Sequence, residues 1–334
     1  MAPWLFRDGH RADETKTYAG RHSHPEPAGA DLPGDGQPAE PGGPWAPVVV
    51  GEPIFDFEPA PPGPGFYCPD TIVDGWSTEH LTMRLASVRG YAHRYRGTPR
   101  QDAAVVACDP SSGGVAVAVA DGVSSAPHSH YGATAACWTA TDAIARQLAA
   151  GQSPVDWIAV IRSAAAAVMA RGRTLLRNPR PDPEAVEELL ATTLTAGCIT
   201  PTAQGLMASV VQVGDSGGWL LHGGRYRPVL APKNDRHAEV ISSAVAPLPR
   251  VPARVKPVTV QLPAGSVLLL GTDGFGDPLG DGSGMVGQLF AEQLSSPPPA
   301  GAFAHLLDFS RETFDDDRTL VAVWPQSPDE GVSR

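Results

Sequence analysis

Five aspartates, far apart in the chain, stand at the ends of strand-like runs. They are Asp102 in RQDAAVVAC, Asp121 in VAVAVADGVSS, Asp215 in VVQVGDSGGWLL, Asp273 in VLLLGTDGFGD and Asp316 in FDDDRTLVAVW. Strand ends collect at one edge of a sheet, so carboxylates placed there can converge. Converging, buried carboxylates repel and favour their protonated forms. A hard divalent cation removes that conflict, and an all-oxygen ligand set suits Mg2+ or Mn2+. No histidine or cysteine accompanies these positions, which weighs against Zn2+. Glycine follows Asp121 and Asp273 and precedes Asp215, and a missing Cβ lets a backbone carbonyl approach a ligand. Taken singly, DG and GDS are equally ordinary turns and DDD is equally a solvated run. The inference rests on their order and on the strand end that each shares.

The elements that must position these residues follow from periodicity. VVAC (105–108) and VAVAVA (115–120), separated by DPSSGG, predict a hairpin. YGATAACWTATDAIARQLAA and VDWIAVIRSAAAAVMARGRTLL predict two long helices, and PDPEAVEELLA a short third with proline in its first turn. LTAGCIT, LMASVVQV, GGWLLH, VTVQL and SVLLLGT predict strands. VGQLFAEQL and GAFAHLLDFSRETF predict helices, and TLVAVW a closing strand. Strands and helices are grouped rather than alternating, which favours an α+β layered fold over a doubly wound one. Two packed antiparallel sheets with helices on their outer faces satisfy the order.

The chain has 334 residues, 36 glycines, 35 prolines and a formal net charge of −11. Much of the Pro and Gly falls in residues 1–65, which are expected to be mostly disordered. WAPVVVGEPIFDF (45–57) is expected either to dock as an edge strand or clasp or to be linker. Residues 66–84 are expected to form a linker or docking segment, 85–325 the folded domain and 326–334 a tail. The acidic balance argues against nucleic acid as a main partner and against an anionic membrane surface. No apolar run approaches the length of a membrane span, and MAPWLFRDGH lacks an apolar signal core. The four cysteines include no CxxC pair, three lie in apolar stretches as small core residues, and a reduced, cytoplasmic setting fits them.

RQDA, VADGVSSA, ATTLTAG, VGDSGGWLL, LLGTDG and DDRTLVAV, in that order, resemble the metal-dependent protein phosphatase family of the 2C type. ASVRGYAHRYRGTPRQDA resembles a bacterial branch of it. The resemblance spans about residues 85–324. It implies a four-layer αββα sandwich and a centre of two Mn2+ or Mg2+ ions, with a possible weaker third. Carried over residue by residue, Asp121 bridges both cations with the Gly122 carbonyl nearby. Asp273 and Asp316 complete one site, and Asp102 supports the other. Asp215 stands behind these ligands or serves the third cation. Thr192 and Thr193 start a central strand beneath the site.

The chain departs from the family's pattern at three places. Gln101 stands where Glu is frequent, and Val123 where some members have His, leaving His93, His128 and His130 as nearby candidates. Gly97 occupies the position of a phosphate-holding Arg, leaving Arg94, Arg96 and Arg100 as candidates for that role. The resemblance implies a serine/threonine protein phosphatase that acts in signalling on substrates of a Ser/Thr kinase through metal-activated water; a cytoplasmic monomer is the default expectation. Two alternatives stay open: an inactive domain that binds phosphoproteins, and a phosphatase for a small metabolite. The excursion 225–254, which lies where the family has a variable flap, is expected to shape substrate choice.

Overall fold

The computed structural model describes residues 43–61, 68–230 and 246–326. Contacts divide the chain into Met1–Gly43 and Pro44–Arg334, and the elements described here lie in the second unit. Its eleven strands are β1 (Thr71–Ser77), β2 (Leu81–Val88), β3 (Ala103–Cys108), β4 (Val115–Ala120), β5 (Leu194–Thr202), β6 (Gly205–Val213), β7 (Gly217–His222), β8 (Arg225–Pro228), β9 (Val258–Leu262), β10 (Ser266–Gly271) and β11 (Arg318–Pro325). The helices are α1 (Tyr91–Arg96), α2 (Ser129–Ala149), α3 (Trp157–Leu175), α4 (Pro183–Leu190), α5 (Asp273–Leu279), α6 (Met285–Gln293) and α7 (Ala300–Leu307).

Two antiparallel sheets result. One has the order β1-β2-β11-β10-β7-β8 and the other β3-β4-β5-β6-β9. β4 shows how sequence sets the layers, because side chains alternate faces along a strand. Ala116, Ala118 and Ala120 turn to the cluster that holds α2 and α3. Val115, Val117 and Val119 turn to the cluster between the sheets. The small alanines let α2 approach, and its own Ala133, Ala136, Cys137, Ala140 and Ile144 recur at helical spacing on the facing side. In β11 the alternation is the same: Val321 and Val323 face the other sheet, whereas Leu320, Ala322 and Trp324 face α5, α6 and α7. Each fully buried Val or Leu contributes roughly 1.5–3 kcal/mol, so the three apolar layers hold the four structural ones together. The architecture is the αββα sandwich expected from the sequence.

Helix starts are chemically marked. Asp156 caps α3 through the Ala159 amide at 3.0 Å, and Asp182 caps α4 through the Glu184 amide at 3.0 Å. Two differences from the sequence reading have physical causes. The sheet takes in β1 and the first half of β2, ahead of residue 85. The alternation in β2 is hidden because both of its faces are buried. The helix expected over 301–314 stops at Leu307. Beyond it, the guanidinium of Arg318 takes the carbonyls of Phe309 (2.6 Å) and Phe314, which pulls that stretch into a loop.

Of the two expectations for residues 45–57, docking and linker, the described contacts are those of docking. Residues 48–50 pair with Ser310, Val50 is buried and Val49 forms a parallel bridge to Ser310. Residues 1–42 and 62–67, the middle of the excursion (231–245) and the tail from residue 327 lie outside the described residues. Among the described residues, no helix is long and apolar enough to cross a membrane.

Candidate metal centre

Each of the five aspartates stands at a strand end. Asp102 precedes β3, Asp121 follows β4, Asp215 lies between β6 and β7, Asp273 follows β10 by one residue, and Asp316 precedes β11. Ligand atoms of Asp121, Asp215 and Asp273 lie within 4.8 Å of one another, as do those of His93, Asp316 and Asp317. Asp273 and Asp316 line one cleft of about 210 Å³ together with Gly274, Asp277 and Phe314.

The backbone around Asp121 is tightly held. Its amide donates to Thr193 Oγ1 at 2.9 Å, and its carbonyl accepts from Thr192 Oγ1 at 2.9 Å and the Thr193 amide at 2.8 Å. Thr193 Oγ1 also shares a hydrogen bond of 2.8 Å with Ser216 Oγ, so one threonine joins the DG and GDS turns. Gly214 has φ +93, and a Cβ there would come within 2.6 Å of Thr193. Gly122 bridges to Thr192; a Cβ on it would lie 2.8 Å from the Gln101 carbonyl and 2.7 Å from Ser129 Oγ. The glycine therefore lets three loops converge beside Asp121.

Asp102 is buried beneath these groups. Its Oδ2 accepts hydrogen bonds from Thr272 Oγ1 and Thr319 Oγ1, both at 2.8 Å. Those threonines flank Asp273 and follow the DDD run, so a single carboxylate ties the QD, TDG and DDRT segments together. Burial, then the negative charge of Asp317, pushes Asp102 well above the usual carboxylate range despite the two hydroxyls. Asp121 is pushed up likewise, first by burial, then by the charges of Asp102 and Asp273, and it shares a hydrogen bond with Asp273. Asp316 is raised by burial and then by Asp317.

Asp317 does a different job. Its Oδ1 accepts from the Gly90 amide at 2.7 Å and lies 2.8 Å from His93 Nδ1, and its Oδ2 accepts from the Gln101 amide at 2.5 Å. Burial pulls the His93 imidazole down, but the hydrogen bond and charge of Asp317 outweigh it, and the net shift is upward. A Cβ on Gly90 would lie 2.2 Å from the Asp316 carbonyl carbon, and one on Gly274 only 1.9 Å from the Asp317 oxygen. Both glycines are needed for the SVRG and TDG segments to close on the DDD loop.

The residues fit hard divalent cations. The donors are carboxylates at strand ends, the negative charges of Asp102 and Asp273 both act on Asp121, and Gln101 Oε1 is buried with no hydrogen-bond partner among the described residues. Such a set suits Mg2+ or Mn2+. Of the three histidines that the sequence offered as nearby candidates, folding brings His93 to Asp316 and Asp317. Its Nδ1 lies 2.8 Å from Asp317 Oδ1, so in that trio the imidazole faces Asp317, beside Asp316.

Two of the three candidate phosphate arginines are committed elsewhere. Arg94 is held between Asp308 (2.8 Å) and Asp70 (3.1 Å). Arg100 is buried and spends its guanidinium on Ser87 Oγ, the Asp102 carbonyl at 2.7 Å and the Pro69 carbonyl at 3.3 Å. Arg96 ends α1 and is exposed. His128 and His130 turn towards Tyr131, whose ring carries the Arg171 guanidinium at 4.1 Å.

Reasoning from sequence missed Asp317, Thr272 and Thr319 as parts of the site. The xT of DDRT and the T of GTDG were visible signals for the threonines. Nothing local distinguishes the third aspartate of a DDD run from its neighbours.

The family model described as Protein phosphatase 2C matches residues 89–309, more than half of the chain. No curated protein matches in sequence. Among solved structures, the chain is similar to RsbX in complex with magnesium (15% identity, TM-score 0.49, covering 76% of this chain and 100% of that one). It is also similar to the serine/threonine phosphatase PstP/Ppp of Mycobacterium tuberculosis (18% identity, TM-score 0.49, 74% and 100%). A third is the catalytic domain of the serine threonine protein phosphatase PstP in complex with 2 manganese ions (19% identity, TM-score 0.48, 74% and 99%).

Proposed function

From the premise that the chain belongs to the protein phosphatase 2C family, we propose that it is a serine/threonine protein phosphatase, using two Mn2+ or Mg2+ ions to hydrolyse phosphoserine and phosphothreonine. The observation that carries the reading is the convergence of Asp121, Asp215 and Asp273 within 4.8 Å, with Asp102 and Asp316 charging the same edge. Asp121, on which the charges of Asp102, Asp273 and Asp316 all act, would be the ligand shared by two cations, with the Gly122 carbonyl near them. Asp273 and Asp316 would complete one site, and Asp102 would support the second, directly or through water. Asp215 stands behind Asp121 and Asp273 or serves a weaker third cation. When bound, the cations supply Lewis acidity, acidifying water and balancing phosphoryl charge.

The chain's own residues do the rest. Thr192 and Thr193 fix the Asp121 backbone, Thr272 and Thr319 aim Asp102, and the Asp317–His93 pair holds the DDD loop against α1. Arg96, exposed at the end of α1, is the candidate left for holding the substrate phosphate. The described end of the 225–254 excursion pairs through Leu248 with Thr192, which bridges Gly122. This supports a role for that excursion in choosing substrates. The chain is proposed to work as a cytoplasmic monomer on targets of a Ser/Thr kinase in bacterial signalling.

One observation favours a second reading, binding of phosphoproteins without turnover: Arg94 and Arg100 are both engaged, and Gln101 replaces an acid. The test is hydrolysis of a phosphothreonine peptide and of p-nitrophenyl phosphate with Mn2+, with Mg2+ or with EDTA. Metal-dependent turnover of the peptide, lost in EDTA, is expected. A folded chain that binds Mn2+ and the phosphopeptide but turns over neither substrate establishes the second reading. Turnover of p-nitrophenyl phosphate without the peptide points to a small phosphorylated metabolite.

A further inference from the structure

The N-terminal strap touches two parts of the candidate metal centre at once. On one side it pairs with the loop that leads into Asp316. The Val50 amide donates to the Ser310 carbonyl at 2.9 Å, and the Ser310 amide to the Val48 carbonyl at 2.7 Å. The Ile54 amide donates to Ser310 Oγ at 2.9 Å, and the Glu312 amide to the Glu52 carbonyl at 2.7 Å. Val50 is 5% exposed and packs with Phe309 and its neighbours. On the other side the strap grips α1. The Ala60 amide donates to the Arg94 carbonyl at 2.9 Å, and Phe57 meets Tyr91 and Tyr95 edge-on at 6.2 Å and 5.4 Å.

The two gripped parts meet at the acidic cluster. α1 carries His93, which pairs with Asp317, and the Ala92 amide donates to the Asp315 carbonyl at 2.9 Å. The loop is braced from inside by Arg318, whose guanidinium holds the carbonyls of Phe309 and Phe314. It has no regular secondary structure of its own between Leu307 and Arg318. Its shape therefore depends on Arg318 within and on the strap outside.

We infer that residues 48–61 are a positioning element of the metal centre, buckling α1 to the 308–317 loop so that Asp316 is held where a cation is bound. This rests on the metal-dependent reading above. Disturbing the strap beyond Val48 and Val50 weakens cation binding more than it weakens the fold, because those two residues are where the strap joins an apolar layer.

The test uses full-length variants. Val50→Pro removes the amide that pairs with Ser310, Phe57→Ala removes the ring on α1, and Val50→Ile keeps both amide and apolar side chain. Three quantities are read: Mn2+ affinity by calorimetry, hydrogen exchange at the Ser310 and Glu312 amides, and melting temperature. Val50→Pro and Phe57→Ala are expected to speed exchange at those amides and to lower Mn2+ affinity about 10-fold, the lower end of the loss when outer partners of a metal site are removed. Val50→Ile is expected to match wild type. Should Val50→Pro fail to fold, Phe57→Ala decides by the same criteria. Faster exchange with Mn2+ affinity within about twofold of wild type overturns the inference, and so does exchange that stays at the wild-type rate in a variant that folds. A wild-type chain that binds no Mn2+ contradicts the proposed function itself, whereas wild-type binding that the variants leave intact contradicts the strap alone.

Discussion

Asp121→Asn is expected to lower phosphopeptide turnover by on the order of 10³-fold or more, at the upper end of the cost of losing one donor to a transition-state charge. The reason is position. Asp121 is the carboxylate whose neighbours, Asp102, Asp273 and Asp316, all act on it. An amide keeps its shape but not its charge, so the two cations would lose the ligand proposed to be shared between them. The same substitution removes one buried charge from a group of like charges. The metal-free variant is therefore expected to melt no lower than wild type, and Mn2+ is expected to raise its melting temperature less. Turnover and melting curves with and without Mn2+ check this. An Asn variant that retains a tenth of wild-type turnover would remove Asp121 from the centre of the account.

Asp317→Ala is expected to act in the opposite way, on the fold first. The carboxylate is 2% exposed and satisfies two amides and the His93 ring. Removing it strands all three buried donors. Breaking a buried pair by deleting one partner costs roughly 3–5 kcal/mol, so the melting temperature should fall by about 10 °C. Asp316→Ala, one residue away, is expected to melt within a few degrees of wild type and to lose cation affinity instead. Thermal melts of the two metal-free variants, run side by side, separate the roles. An Asp317→Ala protein that melts with wild type would show that the His93 pair carries little of the loop's stability.

What could be inferred from residues alone follows the strength of local pattern. β4 and α2 were visible because small and branched apolar side chains alternate in one and recur at helical spacing in the other. The five aspartates were visible because each adjoins a strand whose period is clear. β2 and β8 were not, since one is buried on both faces and the other is only four residues long. α5 was hidden by its composition: DGFGDPL carries two glycines and a proline, a poor helix by propensity, and its first turn is closed by the Phe275 and Gly276 amides, which donate to the carbonyl of its N-cap Thr272. The roles of Asp317, Thr272 and Thr319 depend on segments more than 40 residues apart in sequence meeting at Asp102 and Gly90, which no local spacing encodes. The same holds for Arg94 and Arg100, whose partners Asp70, Asp308 and Ser87 could not be known before the chain had folded.

The most direct test of the central claim is a calorimetric titration of the metal-free, full-length chain with Mn2+, repeated with Asp121→Asn. The account predicts two cations bound per chain in the wild type and loss of that binding in the variant. A wild-type chain that takes up no Mn2+, or a variant that binds it equally well, would contradict the claim that these aspartates form a cation centre.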